Sequence, residues 1–437
     1  MSLWYGLSMP EDIDTLKDIP DQLFFKHYVP SNWPIEMVDG KIHIPHLVKS
    51  EGRGDLFLKD KILEERKTKD PATDAAFVEA VLKRLDGMVV TVNHTKDVLA
   101  ALPRETTPSI LMAEPEGNYH ENQWERFAYL SLRMHLEAAG ANVETPKIYE
   151  SSSNLYQQWT RDRYVIAPDG TALFHKPLTG ALDGERNEAS LKLMEEFRNR
   201  GIHVKQIDSQ IEGGDILQHR QSNTVFVGIR GDEHSNEEYV RYAQELANQL
   251  GMQLKLVPKK RKKGGDYYHL DTLMSILPGG EIIVIPEGTD ATGLANIHSV
   301  VPPSDVLEMK YIGEEPWDVS GGYFLKEHDK RALSTNIITI NGNVFTPTLV
   351  PEMKTFVEAH GYRLFEGPYQ IRDSGVHCQT NFIKTEKVNG KSDVSYNPPL
   401  PSGLPRLEYL EHLDQNDVTL QTLSSRTPVK SNTHGIV

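Results

Sequence analysis

Four stretches of the chain repeat one order of apolar and polar positions: an amphipathic run, a glycine, then a short apolar or alternating run. That order predicts a helix, a left-handed glycine that ends it, and a strand. The four runs are Leu136-Glu137-Ala138-Ala139-Gly140-Ala141-Asn142-Val143, Phe197-Arg198-Asn199-Arg200-Gly201-Ile202-His203-Val204, Ala247-Asn248-Gln249-Leu250-Gly251-Met252-Gln253-Leu254 and Val357-Glu358-Ala359-His360-Gly361-Tyr362-Arg363-Leu364. Their glycines stand 61, 50 and 110 residues apart (140 to 201, 201 to 251, 251 to 361). The last interval is two units of about 55, so a degenerate unit is expected around Glu281 to Asn341. Strands are clear there in Glu281-Ile282-Ile283-Val284-Ile285 and Asn336-Ile337-Ile338-Thr339-Ile340, while the helix is poor.

The chain therefore reads as α/β, with about five repeated modules. Such a period fits radial repetition, in which each unit buries its apolar face against its neighbours. An ordinary α/β sheet has the same local corners and stays open as an alternative. A similar corner at Leu85-Asp86-Gly87-Met88-Val89 predicts one more helix end before the first module. Residues 1–105 are less regular, with prolines at 10, 20, 30, 34 and 45 and a helical pattern from Ala72 to Leu85, and read as an N-terminal extension or subdomain. Residues 106–390 hold the modules. Residues 391–437 are polar and proline-rich and read as a mobile tail.

Composition narrows the class. Of 437 residues, 38% are hydrophobic and 25% charged, the makeup of a globular protein. No apolar run is long enough to span a membrane, and the first residues lack the basic and apolar regions of a signal peptide. The single cysteine rules out an internal disulfide and fits a reducing, cytoplasmic setting. A net charge of −15 argues against nucleic acid as a partner and suits a cationic ligand. The basic run Lys259-Lys260-Arg261-Lys262-Lys263 is the exception and reads as a solvated loop between strands. A homo-oligomer is compatible with all of this.

The chemistry-bearing residues follow the glycine-marked strands. Asp162, in Trp159-Thr160-Arg161-Asp162, lies 22 residues past Gly140, and Glu212, in Glu212-Gly213-Gly214-Asp215, lies 11 past Gly201. His269, in His269-Leu270-Asp271-Thr272, lies 18 past Gly251, and Cys378 lies 17 past Gly361. Singly, each has an ordinary explanation: a tight turn, a strand-end ion pair, a core histidine, a cysteine packed as a small hydrophobe. Jointly, radial closure would gather a thiol, an imidazole and three carboxylates. Carboxylates match the planar fork of a guanidinium, which leaves its central carbon open to a nucleophile from above or below. Cys378, in the polar run Arg372 to Asn381, is the candidate nucleophile, since the thiolate is reactive and a nearby cation lowers a thiol's pKa. Arg372 and Arg186 are candidates for holding a substrate carboxylate, with surface ion pairing as the alternative.

These motifs resemble those of the guanidino-group-modifying enzymes: arginine deiminases, dimethylargininases, agmatine deiminases, peptidylarginine deiminases and amidinotransferases. His-Leu-Asp-Thr, Thr-Arg-Asp and Glu-Gly-Gly-Asp are similar to arginine deiminase strings, and Gly375-Val376-His377-Cys378 through Thr380-Asn381 to those of peptidylarginine deiminases and amidinotransferases. The resemblance spans about residues 106 to 385. It implies a five-bladed, pseudo-symmetric α/β propeller, pentein-like, carrying an N-terminal extension. It also implies Cys378 as nucleophile, His269 as acid and base, Asp162 and Asp271 as guanidinium ligands, and Glu212 orienting His269 or touching substrate. Asp215 reads as a turn residue. No cofactor and no metal is implied. The expected activity is a cysteine-dependent hydrolysis of a small guanidino compound such as arginine, through an S-amidino intermediate. Transfer of the amidino group to an acceptor amine is the alternative within the family. A binding or effector protein on the same scaffold is the alternative outside it.

Overall fold

The computed structural model describes residues 13–17, 19, 21–29, 35–44, 71–113, 123–145, 160–175, 183–230, 237–260, 269–309, 334–371 and 375–387. The expected tail, Arg372 and Arg261 to Lys263 lie outside the described residues. The class is α/β. Helix α1 (Asp21–Tyr28), a hairpin of β1 (Glu36–Val38) and β2 (Lys41–His43), and helix α2 (Pro71–Ala100) precede the modules. The expected helix end at Gly87 is not there. α2 runs through it because Val78, Leu85, Val92 and Leu99, each at most 3% exposed, recur every seven residues along one stripe. Glycine inside a helix costs about 1 kcal/mol. Stopping there would forfeit burial of Val92 and Leu99, worth about 2 kcal/mol each.

From Thr106 onward one unit recurs. β3 (Thr106–Met112), helix α3 (Gln123–Ala138) and β4 (Asn142–Glu144) begin the first module. β5 (Tyr164–Ile166), β6 (Ala172–His175), α4 (Asp183–Asn199) and β7 (Val204–Ile207) form the second. β8 (Ile216–His219), β9 (Thr224–Arg230), α5 (Glu237–Leu250) and β10 (Gln253–Lys259) form the third. β11 (Met274–Ile276), β12 (Ile282–Val284), α6 (Ala291–His298) and β13 (Val306–Glu308) form the fourth, and β14 (Ile338–Ile340), β15 (Asn343–Thr346), α7 (Pro351–Ala359) and β16 (Arg363–Glu366) the fifth. Helix α8 (Val376–Gln379) then leads into β17 (Thr380–Lys387), which returns to pair antiparallel with β3 and completes the first module.

Each module is an open three-stranded sheet. Its first two strands are antiparallel and its last two parallel, as β5–β6 and β6–β7 show. A parallel neighbour needs a crossover, and the helix supplies it. Gly140, Gly201, Gly251 and Gly361 all have the left-handed φ that the sequence pattern requires, from +67° to +101°. The degenerate region spans the fourth module and the start of the fifth. Its helix α6 has only eight residues, starts with Asp290 capping the Gly293 N–H at 2.7 Å, and ends at Ser299 without a left-handed glycine.

Five buried clusters link the modules in sequence. Val165 and Leu173 of the second pack with Val225 and Leu246 of the third; Phe226 and Val257 of the third pack with Met274 and Ile297 of the fourth. Ile283 of the fourth packs with Val344 and Val357 of the fifth, and Leu111 and Ile383 of the first with Tyr164 and Phe197 of the second. The largest cluster joins Ile338 and Phe345 of the fifth to Ile110 and Phe127 of the first, and takes in Phe24, Phe25 and Phe77 of the extension. These junctions dominate cohesion. A three-residue strand offers few hydrogen bonds, each worth about 1 kcal/mol net, whereas each buried large apolar side chain contributes about 2 kcal/mol. Among the described residues no helix is long and apolar enough to cross a membrane.

Candidate active site

The candidate site residues stand just before the first strand of a module. Short 3₁₀ turns at Thr160–Arg163, Gly213–Asp215 and Leu270–Thr272 precede β5, β8 and β11, residues 334–336 precede β14, and α8 precedes β17. Close approach shapes the second of these turns. A Cβ on Gly213 would lie 2.0 Å from the Arg161 carbonyl oxygen, and one on Gly214 would lie 2.6 Å from His269 Nδ1 and 2.9 Å from Asp162 Oδ1. The two glycines therefore let the second, third and fourth modules bring their polar turns into contact. Asp215 completes the junction by accepting from the Leu270 N–H at 2.7 Å and pairing with Lys259. Lys259 is 3% exposed, so the expected solvated basic loop fails at this residue: its ammonium is buried against Asp215. Asp215 is a joint between modules, and it positions the turn that follows His269.

An imidazole and two carboxylates form one half of the site. His269 Nε2 lies 2.8 Å from Glu212 Oε2, and Nδ1 lies 3.5 Å from Asp162 Oδ1. Asp162 Oδ1 also accepts from the Gly214 N–H at 3.0 Å. Burial disfavours the charged imidazolium, but Asp162 and the hydrogen bond His269 donates to Glu212 outweigh it and hold the His269 pKa well above the ordinary value. Burial pushes the Asp162 carboxyl up to about 7; His269 and the Gly214 N–H oppose that rise, while Glu212 and Asp271 add to it. The three ligand atoms lie within 4.8 Å of one another, close enough to share one cation, metallic or organic.

The thiol forms the other half. Cys378, 6% exposed, points its S–H at Asp271, with Sγ 3.5 Å from Oδ2 and 3.8 Å from Oδ1. His377 Nδ1 lies 2.8 Å from Asp271 Oδ2. Burial, assisted by the Arg161 cation, lowers the His377 pKa to about 4, so the ring is neutral and Nδ1–H donates to the carboxylate. Burial works against the Asp271 charge, but His377, His269 and Arg161 outweigh it and lower the pKa. Arg161, 1% exposed, donates from Nη1 to Asn381 Oδ1 at 3.2 Å; burial brings its pKa down to about 10 against the pull of Asp271. Burial and the carboxylates of Asp271 and Asp162 raise the Cys378 pKa well above its usual value. The two halves thus share a field that is short of positive charge.

Cys378, His269, Glu212, Asp162 and Asp271 are brought together from four modules. Arg186 lies on α4, away from these turns in the chain, and Arg372 is outside the described residues. Two further participants went unassigned in the sequence. His377 stood in the quoted motif without a role. Asn336, at the start of a recognised strand, donates from Nδ2 to Cys378 Sγ at 3.1 Å and accepts from the Cys378 N–H at 3.1 Å. The signal for Asn336 was its place two residues before the fifth module's first strand, as Asp162 stands two before β5 and Cys378 two before β17.

No family model and no curated protein matches the chain. Among solved structures, it is similar to the substrate-bound N-terminal domain of ArgZ, an arginine dihydrolase of the ornithine-ammonia cycle in cyanobacteria. That match has 15% identity and a TM-score of 0.46, and covers 63% of this chain and 98% of the other. A complex of AgrE with L-arginine matches at 16% identity over 69% of this chain and 42% of the other, with a TM-score of 0.47. A dimethylarginine dimethylaminohydrolase matches at 16% identity over 63% of this chain and 99% of the other, with a TM-score of 0.43.

Proposed function

We propose that this chain is a cysteine-dependent hydrolase of a guanidino compound, built as a five-bladed α/β propeller with residues 1–105 as an extension, 106–390 as the catalytic unit and 391–437 as a tail. Support for the propeller comes from the five junction clusters, which follow the modules in order and return from the fifth to the first. A small cavity lined by Leu217, Met274, Ile338 and Phe382, all on first strands or on β17, and also by Asp271 and His377, fits an axis shared by these strands.

The observation that carries the activity is the thiol at 3.5 Å from Asp271, beside a His269–Glu212–Asp162 group that is short of positive charge. A guanidinium held edge-on by Asp162 and Asp271 would offset the burial, and the lesser repulsion among carboxylates, that raise the Asp162 and Cys378 pKa values. Its arrival favours the thiolate, and the thiol proton is released to solvent. Sγ then bonds to the guanidinium carbon, and the resulting tetrahedral adduct collapses with loss of ammonia or an amine. His269, kept protonated by Glu212 and Asp162, gives its proton to that leaving group. The remaining S-amidino group is attacked by water, which loses one proton to His269; the C–S bond breaks, the second proton of that water passes to solvent, and a ureido product and the thiolate separate. Glu212 orients His269 throughout. The substrate is a small guanidino compound, arginine-like in its reacting group, and no cofactor enters these steps.

The test is a panel of L-arginine, agmatine, methylated arginines and an arginine peptide, with and without glycine or lysine as acceptor. One of these compounds is expected to yield ammonia or an amine together with equimolar ureido product in the absence of any acceptor. Turnover seen only with an acceptor would make the protein an amidinotransferase. Binding of a guanidino compound without turnover would make it a binding protein.

A further inference from the structure

We infer that Asn336 is a catalytic residue: its carboxamide holds the Cys378 sulfur in position and favours the thiolate over the thiol. This deepens the hydrolase reading and rests on it for the chemistry. The residue is fully buried, and its side chain makes three hydrogen bonds at the nucleophile. Oδ1 accepts from the Cys378 N–H at 3.1 Å, while Nδ2 donates to the Asp271 carbonyl at 3.2 Å and to Cys378 Sγ at 3.1 Å. The two backbone partners fix which end of the amide faces the sulfur. The Cys378 N–H can only donate and the Asp271 carbonyl can only accept, so a flipped amide would set donor against donor and acceptor against acceptor. The N–H end must therefore point at Sγ.

The local chain is built around this contact. A Cβ on Gly375 would lie 2.7 Å from both Cβ and Oδ1 of Asn336, so glycine is what allows the start of α8 to approach so closely. The Val376 N–H donates to the Asn336 carbonyl at 3.1 Å, which fastens the same helix a second time.

Among the described residues, Asn336 Nδ2 supplies the hydrogen bond donated to Sγ. The charged and titratable groups around the sulfur are Asp271 and His269 from the fourth module's turn, Asp162 and Arg161 from the second's, Glu212 from the third's, and His377 from α8 itself. The two aspartates resist a second negative charge there. A neutral donor is suited to the task, because it strengthens its bond as the sulfur ionises and still leaves the carboxylates free to attract a cationic substrate. A lysine or arginine in its place would compete with that cation for the same acids. The fifth module thus contributes an amide two residues before its first strand, where the second contributes Asp162 and the first contributes Cys378.

The chain's single cysteine makes the test direct, since alkylation reports on Cys378 alone. Iodoacetamide rates are measured across pH for the intact protein and for Asn336→Ala and Asn336→Leu, alongside circular dichroism and thermal melting. Leucine matches the branched shape of asparagine, so it serves if the alanine variant does not fold. The expected result is an apparent thiol pKa about one unit or more higher in each folded variant than in the parent. Profiles that superimpose on the parent's would overturn the role assigned to Asn336. Because no substrate is used, a shifted profile in a protein that turns over nothing leaves Asn336 standing and defeats the hydrolase. An unshifted profile in an active enzyme does the reverse.

Discussion

Cys378→Ala is expected to lower turnover of the responsive guanidino compound by about 10⁴-fold or more while leaving the fold intact. Removing a nucleophile removes the covalent path altogether, and what remains is the slower direct attack of water on a bound cation. The fold has little reason to suffer. Cys378 sits just before β17, on a four-residue helix whose backbone is held by Asn336 and by Gln379, and it fills only a small volume. Its protonated thiol carries no charge, so the alanine variant should still bind guanidinium compounds through Asp162 and Asp271. Steady-state assays and calorimetric titration read the two effects separately. A variant that keeps a tenth of the parent's turnover would show that Cys378 is not the nucleophile.

Gly214→Ala should also damage turnover severely, although residue 214 bears no reactive group. The added methyl would lie 2.6 Å from His269 Nδ1 and 2.9 Å from Asp162 Oδ1, distances that real Cβ contacts do not show. Both side chains are held by partners, His269 by Glu212 and Asp162 by the Gly214 N–H, so the methyl must push one of them out of line. A displacement of this size costs on the order of 10²-fold in rate when it falls on an acid–base group. The fall should appear mainly in kcat, through His269, with KM rising as Asp162 moves. Near-parental kcat and KM in a folded Gly214→Ala protein would mean that His269 and Asp162 do not act from the positions seen here.

The two glycines of Glu-Gly-Gly-Asp illustrate what the sequence could and could not convey. A pair of glycines is readable as a tight turn, and the turn is present. Their actual constraint is the nearness of Arg161 and His269, which are distant in sequence, and nothing local announces it. Helix ends were legible where the backbone conflict is local, as at Gly140, Gly201, Gly251 and Gly361. The same signal misled at Gly87, where the seven-residue stripe of Val78, Leu85, Val92 and Leu99 carries the helix past the glycine. α6 was hard to see because its length is eight residues and its ending uses no glycine.

Among the site residues, the reactive types stood out by chemistry and the supporting types did not. Cys378, His269, Asp271, Asp162 and Glu212 each belong to a motif with an obvious use. Asn336 carries no charge, does not titrate and looks like any strand-edge amide until the second and fifth modules are placed in register. Lys259 misled in the opposite direction. Its neighbours in the basic run made it look solvated, whereas its partner Asp215 lies 44 residues away in sequence and draws it into the interior.

The proposed hydrolysis requires a covalent bond between Cys378 and the amidino carbon. The most direct measurement is intact-protein and peptide mass spectrometry of the enzyme quenched with acid during turnover of its best guanidino substrate. The predicted result is an adduct on the Cys378 peptide weighing the substrate less its departing amine, which disappears when substrate is exhausted and never forms on Cys378→Ala. Active enzyme that shows no adduct at any time, or carries it on another residue, would contradict the mechanism.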